Sequence, residues 1–344
     1  MPYNPLKDKI FVAIGDPTIE KRMVSNEAVA ALKKAVDNHT FDGYNSPYDP
    51  SDVIMGSGGS DALKLILTSL ADEGDNVLLS KPDFDYYKNM VLNPHKIQYH
   101  EYVIDLEKRE INLSSVEHQI NSRTKAILLT NPHNPTGISF SKENLEGLLA
   151  IAEKYKLPII SDEIYQKVVY NAPFYPLAQL NPKVPIVVCD GLSKRVHVPG
   201  WRLGWSVIYD SYEILGPSAL VQGALPDILN NTPQSYYDNI KHKIRANVDM
   251  VYNKLSAVHG LKPYKPDGAM YMLIRVDEKV TGVNDTQFCR SLIKEQSLYL
   301  LPGVFFSAPG HIRMLVSRTY YETEEAVLRL TEYMQKFHTN NSKK

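Results

Sequence analysis

Short, unbroken apolar runs alternate with helical periods over the first two thirds of the chain. The runs are NVLL at 76–79, AILL at 126–129, PIIS at 158–161, PIVV at 185–188 and LGWSVIY at 203–209. Continuous apolar runs, rather than a clean two-residue alternation, predict strands buried on both faces, as in a mostly parallel sheet with helices on either side. The helical periods lie between the runs. Residues 60–71 place Leu63, Ile66, Leu67 and Leu70 on one stripe, and Leu145, Leu148, Leu149 and Ala152 recur at helical spacing after a capping Ser141. An earlier helix opens at Ser25, with Val29, Leu32 and Val36 as its expected buried stripe.

After Gly216 the pattern changes. Thr232 and Pro233 predict the cap and first position of a long helix whose stripe is Tyr237, Ile240, Ile244, Val248, Val251 and Leu255, with Gly260 as its stop. Short strands at 270–276 and 312–316 and a closing helix at 323–337 follow. The reading is an α/β large domain over 45–215, and a smaller α+β domain made of 216–344 with the N-terminal segment 1–44.

Totals narrow the function classes. The 344 residues are 43% hydrophobic and 22% charged, with a formal net charge of -1, which gives no bulk attraction to nucleic acid or to a membrane surface. Two cysteines are too few for a disulfide framework. The first residues lack the apolar core of a signal peptide, and no apolar run approaches the ~20 residues that cross a bilayer. A cytoplasmic protein is expected, with no nucleic-acid or membrane partner and no metal.

Polar residues gather just after the strands, where ligands bind in open α/β sheets. Lys194 follows a buried run. A lysine there is most often a surface residue with a buried stem, but a desolvated amine can condense with a carbonyl. Asp162 ends PIISD, where a carboxylate either caps a helix or pairs with a cation, and Tyr165 lies three residues on. NPHNPTG at 131–137 fixes a rigid turn carrying Asn131 and Asn134. Gly58, Gly59 and Ser60 precede a helix, whose N-terminal N–H groups bind phosphate; the stretch matches neither the dinucleotide nor the Walker pattern. Phe84 could be core or could stack on a planar ring. Arg202 is a cation set in an apolar loop. One molecule uses an amine, a carboxylate for a pyridinium, donors for a phenolic oxygen, a stacking ring and a phosphate cradle: pyridoxal 5'-phosphate.

NPHNPTG, SDEIY and SKRVHVPGWRLGW, in this order and spacing, resemble the class I/II aminotransferases of pyridoxal-phosphate fold type I. The resemblance runs from Ile14-Gly15-Asp16-Pro17 to the closing helix, and is strongest to the branch acting on tyrosine. It implies Lys194 as the Schiff-base lysine and proton carrier, Asp162 on the pyridine nitrogen, and Asn134 and Tyr165 on the ring oxygen. It further implies Phe84 stacked on the ring, and Gly58, Gly59, Ser60 and Arg202 on the phosphate. Arg313 matches the arginine that grips the substrate carboxylate, and Gly15 the glycine lining the substrate pocket. Tyr44 matches the tyrosine reaching the neighbouring subunit's phosphate, so a homodimer with shared sites is expected. The implied substrates are an aromatic L-amino acid, tyrosine first, and a 2-oxo acid such as 2-oxoglutarate.

The chain departs from the family pattern in three places. Tyr44-Asn45 runs almost directly into Ser46, the stretch near 212–215 is short, and Gly191 stands where many relatives have serine. Two other functions stay open: β-elimination from cysteine conjugates on the same coenzyme, and a non-catalytic protein that has kept the fold.

Overall fold

The computed structural model describes residues 3–17, 24–37, 53–207 and 219–341. Both expected domain boundaries, at 44/45 and 215/216, lie outside these residues. An eight-stranded sheet runs in the spatial order Val53–Ser57, Leu203–Val207, Ile186–Gly191, Ile159–Asp162, Thr124–Thr130, Asn76–Lys81, Gln98–Asp105 and Glu110–Ile111. The strands from Ile186–Gly191 to Gln98–Asp105 are mutually parallel, while Leu203–Val207 is antiparallel to both of its neighbours. The apolar runs behave as their composition requires. Leu78, Ile127 and Leu129 face one core, and Val77, Leu79, Ala126 and Leu128 face the other, so each strand is buried on both faces.

A second, four-stranded antiparallel sheet is built from Leu261–Tyr264, Tyr271–Val276, His311–Leu315 and Leu301–Pro302. The long helix Gln234–Ser256 and the closing helix Tyr320–Asn341 cover it, and the predicted stripe from Tyr237 to Leu255 is buried. The N-terminal strand Ile10–Phe11 pairs in parallel with Leu298–Tyr299, which brings Gly15 beside the first sheet's strand ends. No helix among the described residues is long and apolar enough to cross a membrane.

Helix boundaries follow the predicted caps in two cases. Ser141 accepts the Asn144 N–H at 3.2 Å, and Ser25 accepts that of Ala28 at 3.2 Å. Three side-chain assignments differ. Helix Asn26–Asp37 buries Ala28, Ala31 and Ala35, while Val29 and Val36 are exposed. It packs against helix Ala219–Asn231, and close helix approach favours the alanine face over the bulkier valines. Leu70 is exposed at the end of helix Gly59–Leu70, whose buried stripe is Ala62, Leu63, Ile66 and Leu67. Thr232 closes a helix instead of opening one: its hydroxyl donates to the Ile228 carbonyl at 2.7 Å, and Pro233 takes the cap position of the next helix. The helix it closes carries Pro226 internally, which reads in sequence as a break.

Replacing Ala31 by leucine overfills the contact between these two helices. We expect a loss of about 1–3 kcal/mol in urea unfolding, and an unchanged midpoint would place the alanine face elsewhere.

Candidate active site

The site starts at the carboxyl ends of the parallel strands. Strand Thr124–Thr130 runs into the 131–137 turn, which His133 locks from inside. Its Nδ1 lies 2.8 Å from Thr136 Oγ1 and its Nε2 lies 3.0 Å from Ser80 Oγ. Burial drives the imidazole down to a pKa of about 3, so it works as a neutral clamp. Asn131 is used structurally, accepting the Phe140 N–H at 3.2 Å. Asn134 alone presents its amide to the cavity, where its Oδ1 accepts Arg313 Nη1 at 2.9 Å.

Strand Ile159–Asp162 ends in a buried carboxylate. Asp162 Oδ2 accepts the Tyr87 hydroxyl at 2.6 Å, and Oδ1 accepts the Ile164 N–H at 3.2 Å. Burial pushes its pKa up to about 6, against the opposing pull of these donors. No cation among the described residues pairs with it, although a buried carboxylate calls for one. Tyr87 also lies 3.0 Å from Thr130 Oγ1. The sequence reading missed Tyr87; the available signal was its place one helical turn after Phe84. The two rings meet edge to face with centroids 5.6 Å apart.

Strand Ile186–Gly191 delivers the adjacent pair Lys194 and Arg195, which part company. Arg195 turns back to Asp190, its Nε 3.1 Å from Oδ2, and Gln166 Nε2 donates to the same oxygen at 2.8 Å. Lys194 enters the cavity, where its Nζ donates to the Gly15 carbonyl. Burial lowers its pKa, bringing it closer to a neutral amine. His197 is fully buried, burial holds its pKa at about 4, and its ring nitrogens find no hydrogen-bond partner among the described residues. It is therefore a neutral residue and no part of the cationic set in this loop. Gly191 fits without a side chain, since a Cβ there would lie 3.0 Å from the Leu203 carbonyl oxygen.

Gly58, Gly59 and Ser60 open helix Gly59–Leu70. Gly58 has a φ of 87°, and a Cβ on it would fall 2.2 Å from Arg202 Nη2. Glycine is what lets the guanidinium approach the helix start. Arg202 is held there by the Ser57 carbonyl at 2.6 Å and the Pro199 carbonyl at 3.0 Å.

Across the cleft, Arg313 rises from the four-stranded sheet. Its guanidinium carbon lies 4.0 Å from the centroid of the Tyr271 ring and 4.4 Å from that of the Phe306 ring. Its Nη2 donates to the Ala13 carbonyl at 2.9 Å and its Nε has no partner. No carboxylate among the described residues pairs with this buried cation, and burial lowers its pKa. Tyr165 and Tyr271 hydroxyls are 3.2 Å apart. A Cβ on Gly15 would lie 1.8 Å from the Tyr271 hydroxyl oxygen, which accounts for glycine at that position. Tyr271 and Phe306 were also missed by the sequence reading, because nothing local marks a residue that is brought in by the second sheet.

One cavity of about 370 Å³ gathers the expected residues. All of them line it except Gly58, which backs Arg202, and Tyr44, which lies outside the described residues together with the short stretches at 45–46 and 212–215. Fold and cleft together define a fold type I transferase. A tyrosine aminotransferase from Leishmania infantum superposes with a TM-score of 0.90 at 26% identity, covering 98% of this chain and 94% of that one.

The chain belongs to the class I and II aminotransferase family, whose model matches residues 9–330. It is therefore a pyridoxal-phosphate-dependent aminotransferase, with amino acids and 2-oxo acids as its substrates. It is 40% identical to the tyrosine aminotransferase of Caenorhabditis elegans over 97% of this chain and 80% of that protein. It is 30% identical to a cystine lyase of Arabidopsis thaliana over 91% of this chain and 79% of that protein. The Caenorhabditis alignment runs over 372 positions, more than the 344 residues of this chain, so it leaves some positions of that protein without a counterpart here. The residues present fit the coenzyme. A buried carboxylate without a counter-cation suits a protonated pyridine, and the glycine-opened helix start beside Arg202 suits a phosphate.

Asp162 gives a pH signature in the coenzyme-free protein. Its raised pKa means that the folded state favours the proton. The stabilisation is complete below 3.8 and is lost as pH rises through about 6. We expect wild type to lose about 2–3 kcal/mol over this window relative to Asp162→Asn, measured by urea unfolding at several pH values; parallel curves would contradict the assignment.

Proposed function

We propose that this enzyme moves the amino group of an aromatic L-amino acid, tyrosine first, to a 2-oxo acid such as 2-oxoglutarate. The observation that carries the reading is a pair of uncompensated buried charges facing one cavity, the Asp162 carboxylate and the Arg313 guanidinium. A pyridinium satisfies the first and a substrate carboxylate the second. When bound, the coenzyme supplies an electron sink for the electrons left on the substrate α-carbon.

The chain's own groups then take these roles. Lys194 Nζ would hold the coenzyme at its aldehyde carbon and would carry the proton to and from the substrate α-carbon; its lowered pKa suits it to a base. Asp162, held by Tyr87, keeps the pyridine nitrogen protonated. Asn134 and Tyr165 donate to the ring oxygen, and Phe84 covers the ring face. Gly58, Gly59, Ser60 and Arg202 hold the phosphate. Arg313 takes the carboxylate of either substrate in turn, and Gly15 leaves room beside it. Tyr44 reaches the phosphate of a partner subunit in a homodimer. The location is cytoplasmic.

β-Elimination is the second reading, favoured by one observation: a relative at 30% identity is named a cystine lyase. Pyruvate and thiol release from a cysteine conjugate without any 2-oxo acid would establish it.

The visible absorption spectrum separates these outcomes. Tyrosine added without acceptor should convert the coenzyme's absorbance to that of its aminated form in a single turnover. Lys194→Ala should abolish turnover and the lysine-linked absorbance while leaving the thermal midpoint within a few degrees; full activity in that variant would end the assignment. Arg313→Ala should raise KM for both substrates by about a hundredfold, the loss of a bidentate charge-assisted pair of roughly 3 kcal/mol; an unaltered KM would put the carboxylate elsewhere.

A further inference from the structure

Residues 83–88 hold more than the ring-stacking Phe84. Asp83 and Lys88 are both buried, yet neither faces the cavity. Their bonds run to the turn at 303–307, on the side of the four-stranded sheet. The Asp83 N–H donates to the Phe306 carbonyl at 2.9 Å, and Lys88 Nζ donates to Ser307 Oγ at 2.7 Å. Lys88 is charge-balanced by Glu101 at 2.6 Å, which also receives Lys81 at 3.1 Å.

Both ends of this link are stiff. Asp83 Oδ1 accepts the Phe84 N–H at 2.6 Å, tying the link to the ring platform. Tyr87, the donor to Asp162, directly precedes Lys88. On the far side the turn is tight, because a Cβ on Gly303 would lie 2.0 Å from the Ala308 carbonyl oxygen. Asp285 anchors the turn by accepting the Val304 N–H at 3.1 Å. Phe306, held in this turn, forms one wall of the Arg313 guanidinium.

We propose that Lys88, with Asp83, is a positioning residue: by pinning the 303–307 turn to the ring-binding segment it sets where Arg313 meets a carboxylate. An isolated buried lysine is costly, and packing alone could have closed this seam with an apolar side chain. A directional ammonium–hydroxyl bond fixes a spacing that apolar packing leaves adjustable. Burial pushes the Asp83 carboxyl to about 8, so near neutral pH it is protonated and leaves Lys88 to Glu101 and Ser307. The inference rests on Arg313 as the carboxylate grip in the proposed function.

The test uses the full chain loaded with pyridoxal phosphate and 3-phenylpropanoate, an aromatic carboxylate with no amino group. Lys88→Met should weaken its binding by about tenfold, the equivalent of one charge-assisted hydrogen bond, and raise KM for tyrosine in step, with kcat and the coenzyme spectrum little changed. Lys88→Arg, which can still donate to Ser307, should recover most of the affinity. Ser307→Ala removes the acceptor, and with it the hydroxyl's own bond to Glu101, and should shift binding in the same direction, which keeps the test decisive if Lys88→Met does not fold. Wild-type affinity in Lys88→Met, or in Ser307→Ala, overturns the inference. Lys88-dependent carboxylate binding in a protein that takes up no coenzyme would uphold it while defeating the proposed function. Coenzyme uptake with no carboxylate binding would overturn the inference together with Arg313's proposed role, whereas wild-type affinity in both variants of an enzyme that transaminates tyrosine would overturn the inference alone.

Discussion

Two opposite charges are buried in one cleft without a counterion among the described residues, and much of the surrounding structure holds them there. Asp162 stays at its strand end through neutral donors, Tyr87 and the Ile164 N–H, which orient the carboxylate without neutralising it. Arg313 is held by neutral acceptors, Asn134 and the Ala13 carbonyl, and by two aromatic walls. Both charges are expensive in a low-dielectric setting. A ligand bringing a cation to one and an anion to the other recovers part of that desolvation cost, so affinity and orientation come from the same source.

The fold supplies the geometry by delivering each charge from a different sheet. Asp162 ends one parallel strand and Lys194 follows the end of its neighbour, so both open onto the same cavity. Arg313 comes from the antiparallel sheet, and Gly15 from a two-residue strand paired with Leu298–Tyr299. The Arg313–Asn134 bond and the Lys88–Ser307 bond are among the polar stitches between the two sides.

How much of this could be read in the sequence depended on how local each signal was. The parallel sheet followed from unbroken apolar runs, because burial on both faces leaves no polar alternation to conceal it. Lys194, Asp162 and Asn134 stood out as polar residues at the ends of those runs, and their joint meaning came from motif order. Tyr87, Tyr271 and Phe306 did not stand out. Each is an ordinary aromatic locally and acquires its part only when the second sheet or a helical turn sets it beside a charge. The helix at 26–37 was rotated in the sequence reading for a related reason: valines outrank alanines in hydrophobicity, but the partner helix selects for closeness. Pro226 lies in the interior of helix Ala219–Asn231, where proline's local effect reads as a break although the chain continues as a helix.

The surroundings of Arg313 have a stereochemical consequence. The Tyr271 and Phe306 rings both lie close to the guanidinium carbon, and each terminal nitrogen already spends one hydrogen on Asn134 or Ala13. What remains free is an edge, including the unpartnered Nε. A trigonal carboxylate can meet that edge in its own plane with both oxygens. A tetrahedral sulfonate or phosphonate must send at least one oxygen out of the plane, into surroundings that include two aromatic rings. The site thus discriminates between anions by shape, at equal charge.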